Sequence, residues 1–188
     1  KVSPTDVERH FREYPGDRVS KRGVELLAGC ILGRDFETKD GFLCLIVLPI
    51  REGVRSAPSL KEIIANPAIH ADGDVDLYLE IPDKKAHPVQ ITRLEEHYTG
   101  KDCSDGLVNL ISRKSNRSED KDMILVVIGD VSGLIDLDEV VTRLEATQCA
   151  FGFIFLVGIF GEYDKDGRYT SQMVYPQLRQ ATEVRLGC

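Results

Sequence analysis

The sequence predicts an α/β fold with a central mixed sheet of about five strands flanked by helices. Two uninterrupted apolar runs, residues 123–129 and 151–160, have the length and composition of strands that are buried on both faces. Between them, residues 137–147 show helical spacing, and the order strand, helix, strand predicts a parallel unit. In residues 74–81, apolar side chains alternate with polar, mostly acidic ones, which is the period of a strand with one buried face.

The remaining elements are predicted from local signals in chain order. Helices are expected where a capping residue precedes an apolar pattern of helical spacing and a proline or glycine follows it. They cover residues 6–14, 21–32, 59–66 and 104–115, and Gly33 is the expected C-terminal residue of the second. The apolar run 42–50 predicts another buried strand, and residues 89–94 are the expected hairpin partner of residues 74–81.

The predicted elements form one domain of residues 1–188, with a core of about residues 21–160. Residues 161–188 are polar and rich in turn formers, so they are predicted to be a C-terminal extension. We expect the centres of the apolar runs to be buried in one sheet: Leu45, Val47, Leu125, Val127, Ile154 and Leu156.

Composition excludes some classes of function. The chain has 24 Lys and Arg against 31 Asp and Glu, a net charge of −7, which disfavours a protein that coats nucleic acid over a broad surface. The 5 cysteines show no metal-ligand spacing, and the longest apolar run is too short to span a bilayer. A cytoplasmic protein without a membrane span is therefore expected. Its expected partner is nucleic acid or protein, and the sequence does not determine its oligomeric state.

Four polar residues on three predicted elements suggest one functional site. Asp76 lies on the second predicted strand, Gln90, Ile91 and Thr92 lie on the next, and Glu25 lies on the helix before them. Over residues 21–128, this order resembles the PD-(D/E)xK, or restriction-endonuclease-like, superfamily. The resemblance implies that Asp76 is the motif Asp and that Gln90 and Thr92 occupy the ends of the (D/E)xK triplet. It also implies that Glu25 completes a metal shell with Asp76 and Gln90.

The chemistry of phosphodiester hydrolysis explains these residue types. A divalent cation such as Mg²⁺ or Mn²⁺ needs oxygen ligands, and the Asp76 carboxylate and the Gln90 amide oxygen are of this kind. The family's lysine orients or deprotonates the attacking water, whereas Thr92 carries no charge, and Arg93 faces the other side of the strand. Three later cations are alternative sources of this charge: Lys101, Arg113 and Lys114.

Each candidate residue also has a structural interpretation. An acidic strand face is commonly solvated, a helix Glu is commonly on the surface, and Gln90 can complete a cross-strand hydrogen bond. Two hypotheses follow. The first is metal-dependent phosphodiester hydrolysis, or a degenerate descendant of it, with Asp76, Gln90 and Thr92 at the catalytic centre. The second is a catalytically inactive binding or scaffold module on the same fold, which the Thr92 substitution and the net charge favour.

Overall fold

The computed structural model describes residues 1–54, 57–71, 73–81, 85–94, 103–115, 122–129, 133–147, 149–158, 171–175 and 183–186. The helices of this part are α1 (Pro4–Glu13), α2 (Lys21–Asp40), α3 (Leu60–Ala65), α4 (Ser104–Ser115) and α5 (Leu137–Ala146). Its strands are β1 (Leu45–Val47), β2 (Leu77–Glu80), β3 (His87–Leu94), β4 (Ile124–Gly129), β5 (Gly133–Asp136), β6 (Phe153–Val157), β7 (Ser171–Tyr175) and β8 (Glu183–Leu186).

A mixed sheet of six strands forms the centre of the fold, in the order β1-β2-β3-β4-β6-β7. Its β4–β6 pair is parallel, whereas β1–β2, β2–β3 and β6–β7 are antiparallel. Strands β5 and β8 form a separate antiparallel pair. The predicted α/β class is therefore confirmed, as are the hairpin of β2 with β3 and the parallel pair of β4 with β6.

The chain divides into two compact units, residues 1–90 and 91–188, and β3 runs through the boundary. The first unit contains α1, α2, α3, β1 and β2, and its core includes the fully buried Val7, Phe11, Leu26 and Ile46. The second contains α4, α5 and the strands from β4 onward. All six residues of β4 are buried, as expected for a central strand covered on both faces.

The predicted strand at residues 42–50 is wrong in its length and burial. Strand β1 covers three residues, in which Ile46 is buried while Leu45 and Val47 are half-buried. Phe42 and Leu43, at the start of the apolar run, are exposed. The reason is that β1 lies at the edge of the sheet with one covered face, so that only every second side chain enters the core. By contrast, Leu125, Val127, Ile154 and Leu156 are buried as expected.

Helix α2 continues eight residues beyond the predicted end at residue 32. Its C-cap is Gly41, which has the left-handed conformation with φ of 70°. Gly33 lies inside the helix, where a Cβ would be 3.1 Å from Cγ of Pro4 and 3.5 Å from Sγ of Cys44. Gly33 therefore allows close packing of the helix and does not end it.

Two further boundaries differ from the sequence prediction. Strand β2 begins at Leu77, three residues after the predicted start, so Asp74 and Asp76 precede the strand. The segment predicted as a polar C-terminal extension contributes β7 to the central sheet and β8 to the pair with β5. Residues 82–84, between the two strands of the predicted hairpin, lie outside the described residues. None of the helices in the described part has the length and apolar character needed to cross a bilayer.

The burial of the central strands leads to a stability prediction. Ile154 is 0% exposed and Ile50 is 37% exposed. We expect Ile154→Val to lower the free energy of unfolding by about 1 kcal/mol, because a methylene group leaves a packed core. Ile50→Val is the matched control and should change it by less than about 0.5 kcal/mol. Urea denaturation followed by circular dichroism measures both, and equal effects would contradict the assigned core.

Candidate functional site

A pocket of about 330 Å³ lies in the first unit, beside the N-terminal turns of α2. Its lining includes apolar residues from α3 and from the segment before β2. Its polar lining residues are Lys21, Arg22, Glu25, His70 and Asp76. The pocket thus combines two carboxylates, two cationic side chains and an imidazole, which is a composition typical of binding and catalytic sites.

The start of α2 positions three of these side chains. Ser20 is the N-cap, and its Oγ accepts a hydrogen bond of 3.0 Å from the backbone N–H of Gly23. The same hydroxyl donates to the carbonyl of Asp17 at 2.9 Å. Helical spacing then places Arg22 and Lys21 three and four residues before Glu25, on the same side of the helix.

Arg22 connects separate segments of the pocket. Its Nη1 donates to the backbone carbonyl of Asp76 at 2.7 Å and lies 2.9 Å from Oε2 of Glu25. Its Nη2 contacts Nδ1 of His70, and its Nε lies 3.2 Å from Nε2 of the same ring. The Arg22 side chain is only 12% exposed, so this guanidinium is an internal counter-ion.

Glu25 is a buried acid beside a second acid. Its side chain is 9% exposed, and burial is the main reason that the pKa of Glu25 is raised above its ordinary value. The charge of Asp76 raises the pKa of Glu25 further, whereas Arg22 and Lys21 lower it. Asp76, which lines the same pocket, is therefore a second acid that acts on Glu25 through its charge.

His70 follows a short 3₁₀ turn, Pro67–Ile69, and is held from two sides. Its Nε2 lies 2.8 Å from the carbonyl of Ile63, which can only accept, so this nitrogen is the donor. In the neutral ring Nδ1 therefore carries no proton, and it accepts a hydrogen bond from Nη2 of Arg22. Burial lowers the pKa of His70, and Arg22 and Lys21 lower it further, against the effect of the Ile63 hydrogen bond.

The structure brings Glu25 and Asp76 together but does not bring Gln90 into the pocket that they line. The backbone N–H of Asp76 donates to the Val89 carbonyl at 2.9 Å, which holds Asp76 beside β3. Val89 pairs with Leu77, whose side chain faces α2 at Gly29. Since successive side chains of a strand alternate, the next residue, the buried Gln90, points away from α2.

Thr92 is half-buried in the part of β3 that belongs to the second unit. Three cations are the predicted alternative sources of the charge that the family's lysine supplies. Arg113 is exposed and Lys114 is half-buried, both in the last turn of α4, and Lys101 lies outside the described residues. The roles predicted for Gln90 and Thr92 therefore stay predictions.

Sequence reasoning missed three residues of the pocket: Lys21, Arg22 and His70. No spacing in the sequence singles out His70 among the four histidines. The spacing of Lys21, Arg22 and Glu25 on one helix was a usable signal for the ion pairs. The contact of Arg22 with His70 had no such signal, because 48 residues separate them in sequence.

The donors in the pocket fit a hard divalent cation by their chemistry, since carboxylate oxygens are the ligands preferred by Mg²⁺ and Mn²⁺. In the described residues, no group of three or more His, Cys, Asp or Glu side chains is arranged to hold a metal ion. Glu25 and Asp76 are the two predicted ligands that line this pocket. Arg22 already pairs with the Glu25 carboxylate, so it would compete with a cation that binds there.

The described cysteines are poor candidates for a nucleophile. Burial raises the pKa of Cys30 to about 12 and that of Cys44 to about 11, so both remain thiols at neutral pH. Cys103 is fully buried beneath the start of α4. The described candidate site with several polar and charged side chains is therefore the pocket beside α2.

Comparison of the chain with family models, curated proteins and solved structures finds no match.

Proposed function

We propose that the chain is a restriction-endonuclease-like domain with a weakened metal-dependent phosphodiesterase site. The observation that carries the proposal is that Glu25 and Asp76, the two acids predicted as metal ligands, line one pocket. Asp76 raises the pKa of Glu25, and a cation bound between the two acids would remove this repulsion.

In this proposal, Glu25 and Asp76 hold Mg²⁺ or Mn²⁺ together with water molecules, because Gln90 points away from α2. A divalent cation at this position neutralises charge on the phosphate and lowers the pKa of an attacking water. Arg22 lowers the pKa of Glu25 against the larger effect of burial, which favours the ionised carboxylate that a metal ion requires. Thr92 contributes no charge, so the orientation of the water is the weak part of the site.

The second candidate is a binding or scaffold module that keeps the fold without hydrolysis. The ion pair of 2.9 Å between Arg22 and Glu25 favours this alternative, since a tethered cation already compensates the buried acid. The net charge of −7 also fits a protein that does not coat nucleic acid. The two candidates differ in metal binding and in cleavage.

Metal binding is the first test. We expect the wild-type protein to bind Mn²⁺, and Asp76→Asn to weaken the affinity by about 10–100-fold, because a ligand charge is lost. Asp74→Asn is the matched control, since Asp74 is an exposed acid two residues away, and its affinity should equal that of the wild type. Electron paramagnetic resonance of free Mn²⁺ measures each affinity. Equal loss in both variants would indicate nonspecific binding of cations to an acidic protein.

Cleavage is the second test. A missing general base costs roughly 10²–10⁴ in rate, so we expect slow or undetectable cutting of DNA by the wild type with Mg²⁺. A gain in cutting by Thr92→Lys that Asp76→Asn abolishes would place position 92 at the metal, and no gain would separate Thr92 from the pocket beside α2. Strong wild-type cleavage that survives Asp76→Asn would mean that the site lies elsewhere. A protein that neither binds metal nor cuts DNA, even as Thr92→Lys, would support the scaffold alternative.

A further inference from the structure

The two cationic side chains of the pocket differ in their availability. The Arg22 side chain is 12% exposed, and its nitrogens contact Asp76, Glu25 and His70. The Lys21 side chain is 91% exposed, and its Nζ lies 3.7 Å from Oε1 of Glu25. Arg22 is therefore part of the wall of the pocket, whereas Lys21 is the cation that a ligand from solvent meets first.

A lysine in this position suits a phosphate group. Its ammonium is a compact charge with three N–H donors on a flexible chain, so it can follow a ligand that enters the pocket. Hydrogen bonds between charged groups are stronger than neutral ones. The nearby Glu25 keeps the Lys21 ammonium at the mouth of the pocket in the absence of a ligand.

The size of the pocket limits the ligand. Its volume of about 330 Å³ is at the lower end of the range for small-molecule sites. Binding a duplex requires a stripe of cations along the phosphate backbone, and a chain with a net charge of −7 is a poor candidate for one. The dimensions and charge fit a single nucleotide unit with its phosphate, either free or at the end of a strand.

We propose that Lys21 binds the phosphate of one nucleotide unit in this pocket, and that the nucleotide and a divalent cation bind cooperatively. This inference rests on the proposed function. The cationic Lys21 and Arg22 offset the anionic Glu25 and Asp76, and the neutral His70 adds no charge. A divalent cation alone or a phosphate alone leaves the pocket with an unbalanced charge, whereas both together nearly cancel. Each ligand therefore increases the affinity for the other by the same factor.

The test measures nucleotide and metal binding separately. Adenosine 5′-monophosphate and a 5′-phosphorylated single-stranded oligonucleotide are titrated into the protein by calorimetry, in EDTA and in Mn²⁺. We expect Mn²⁺ to tighten nucleotide binding by about tenfold, and Lys21→Ala to weaken it by about tenfold in the presence of Mn²⁺. The affinity of Lys21→Ala for Mn²⁺ alone should stay equal or increase, because a positive charge beside the carboxylates is removed.

Two further variants control for charge and folding. Lys61→Ala removes a lysine of the same unit that lies 4.7 Å from the centre of the Tyr14 ring and not in the pocket, and it should leave both affinities unchanged. Lys21→Arg keeps the charge and should retain most of the nucleotide affinity. Tighter binding of the mononucleotide identifies a free nucleotide as the ligand, and tighter binding of the oligonucleotide identifies a strand end.

The outcomes separate this inference from the proposed function. If the wild type binds Mn²⁺ but the wild type and Lys21→Ala bind the nucleotide equally well, the role of Lys21 is overturned and the proposed metal site is not. Nucleotide binding that Mn²⁺ does not strengthen would overturn the cooperativity. No binding of Mn²⁺ to the wild type would overturn both proposals.

Discussion

Replacing Arg22 with Gln is expected to lower the free energy of unfolding by about 3–5 kcal/mol at neutral pH. Glu25 is 9% exposed on its side chain, and Arg22 is its close counter-ion at 2.9 Å. The variant leaves a buried carboxylate without this compensation, and it also removes the donor to the Asp76 carbonyl. Both changes destabilise only the folded state, because in the unfolded chain the Glu25 carboxylate and the Asp76 carbonyl are hydrogen-bonded to water.

The same variant should be less unstable in acid. The pKa of Glu25 in the folded protein is above its ordinary value of 4.5. Protonation of Glu25 therefore stabilises the folded protein fully below pH 4.5, and this stabilisation is lost as the pH rises through the folded pKa. Loss of Arg22 raises the pKa of Glu25 further. The pKa of His70 is lowered in part by Arg22, so the variant also accepts a proton on His70 more easily. Both effects stabilise Arg22→Gln relative to the wild type as the pH falls from 7 towards about 5.

Urea denaturation at several pH values measures this effect. Arg22→Gln combined with Glu25→Gln is the control, because it replaces the ion pair with two neutral amides. The double variant should recover much of the lost stability and most of the pH dependence should disappear. If Arg22→Gln lowers the free energy of unfolding by less than about 1 kcal/mol at every pH, Arg22 does not stabilise the folded protein through its ion pair with Glu25.

Gly23→Ala is expected to destabilise the first unit by about 3 kcal/mol. A Cβ at position 23 would lie 1.8 Å from the backbone oxygen of Asp17 and 2.9 Å from Oγ of Ser20. The clash is with backbone, so the turn before α2 must move, and the N-cap hydrogen bond from Gly23 to Ser20 is disturbed with it. Since α2 begins there, the displacement should also weaken Mn²⁺ binding.

Gly16→Ala provides the control for this effect. Gly16 lies in the same turn, and a Cβ there meets no heavy atom within 4 Å. Its unfolding midpoint should stay close to that of the wild type, whereas that of Gly23→Ala should fall by several degrees in thermal denaturation. A similar midpoint for both variants would mean that the turn before α2 adjusts freely.

The interior strands of the sheet were predictable because their signal is local. Residues 124–128 and 153–157 pair in parallel register, and each segment is an almost unbroken apolar run in the sequence. A strand that is buried on both faces requires such a run, so its composition is sufficient to locate it. The edge strand β1 was mislocated for the converse reason. Its apolar run is longer than the part that finds a partner, and the burial of Ile46 depends on β2 and on Val2.

Helix ends show the same division between local and distant causes. Ser59 predicted the start of α3, because its side chain accepts from the backbone of Glu62 only three residues away. Gly33 was assigned as a helix end from its identity, but its small size is used for contact with Pro4 and Cys44. A glycine has the same appearance in the sequence whether it supplies a left-handed cap or space for a neighbour.

The sequence by itself determined the fold class and the central strands, since periodicity and composition express these features directly. Its resemblance to the PD-(D/E)xK superfamily implied Glu25 and Asp76 as candidate ligands. Only the tertiary structure decided that the two acids share one pocket, that Gln90 points away from α2, and that Arg22 joins Glu25, His70 and Asp76. The contacts of Arg22 with His70 and Asp76 span 48 and 54 residues of chain. Their physical basis is the packing of α2 against β2 and α3, which no local pattern encodes.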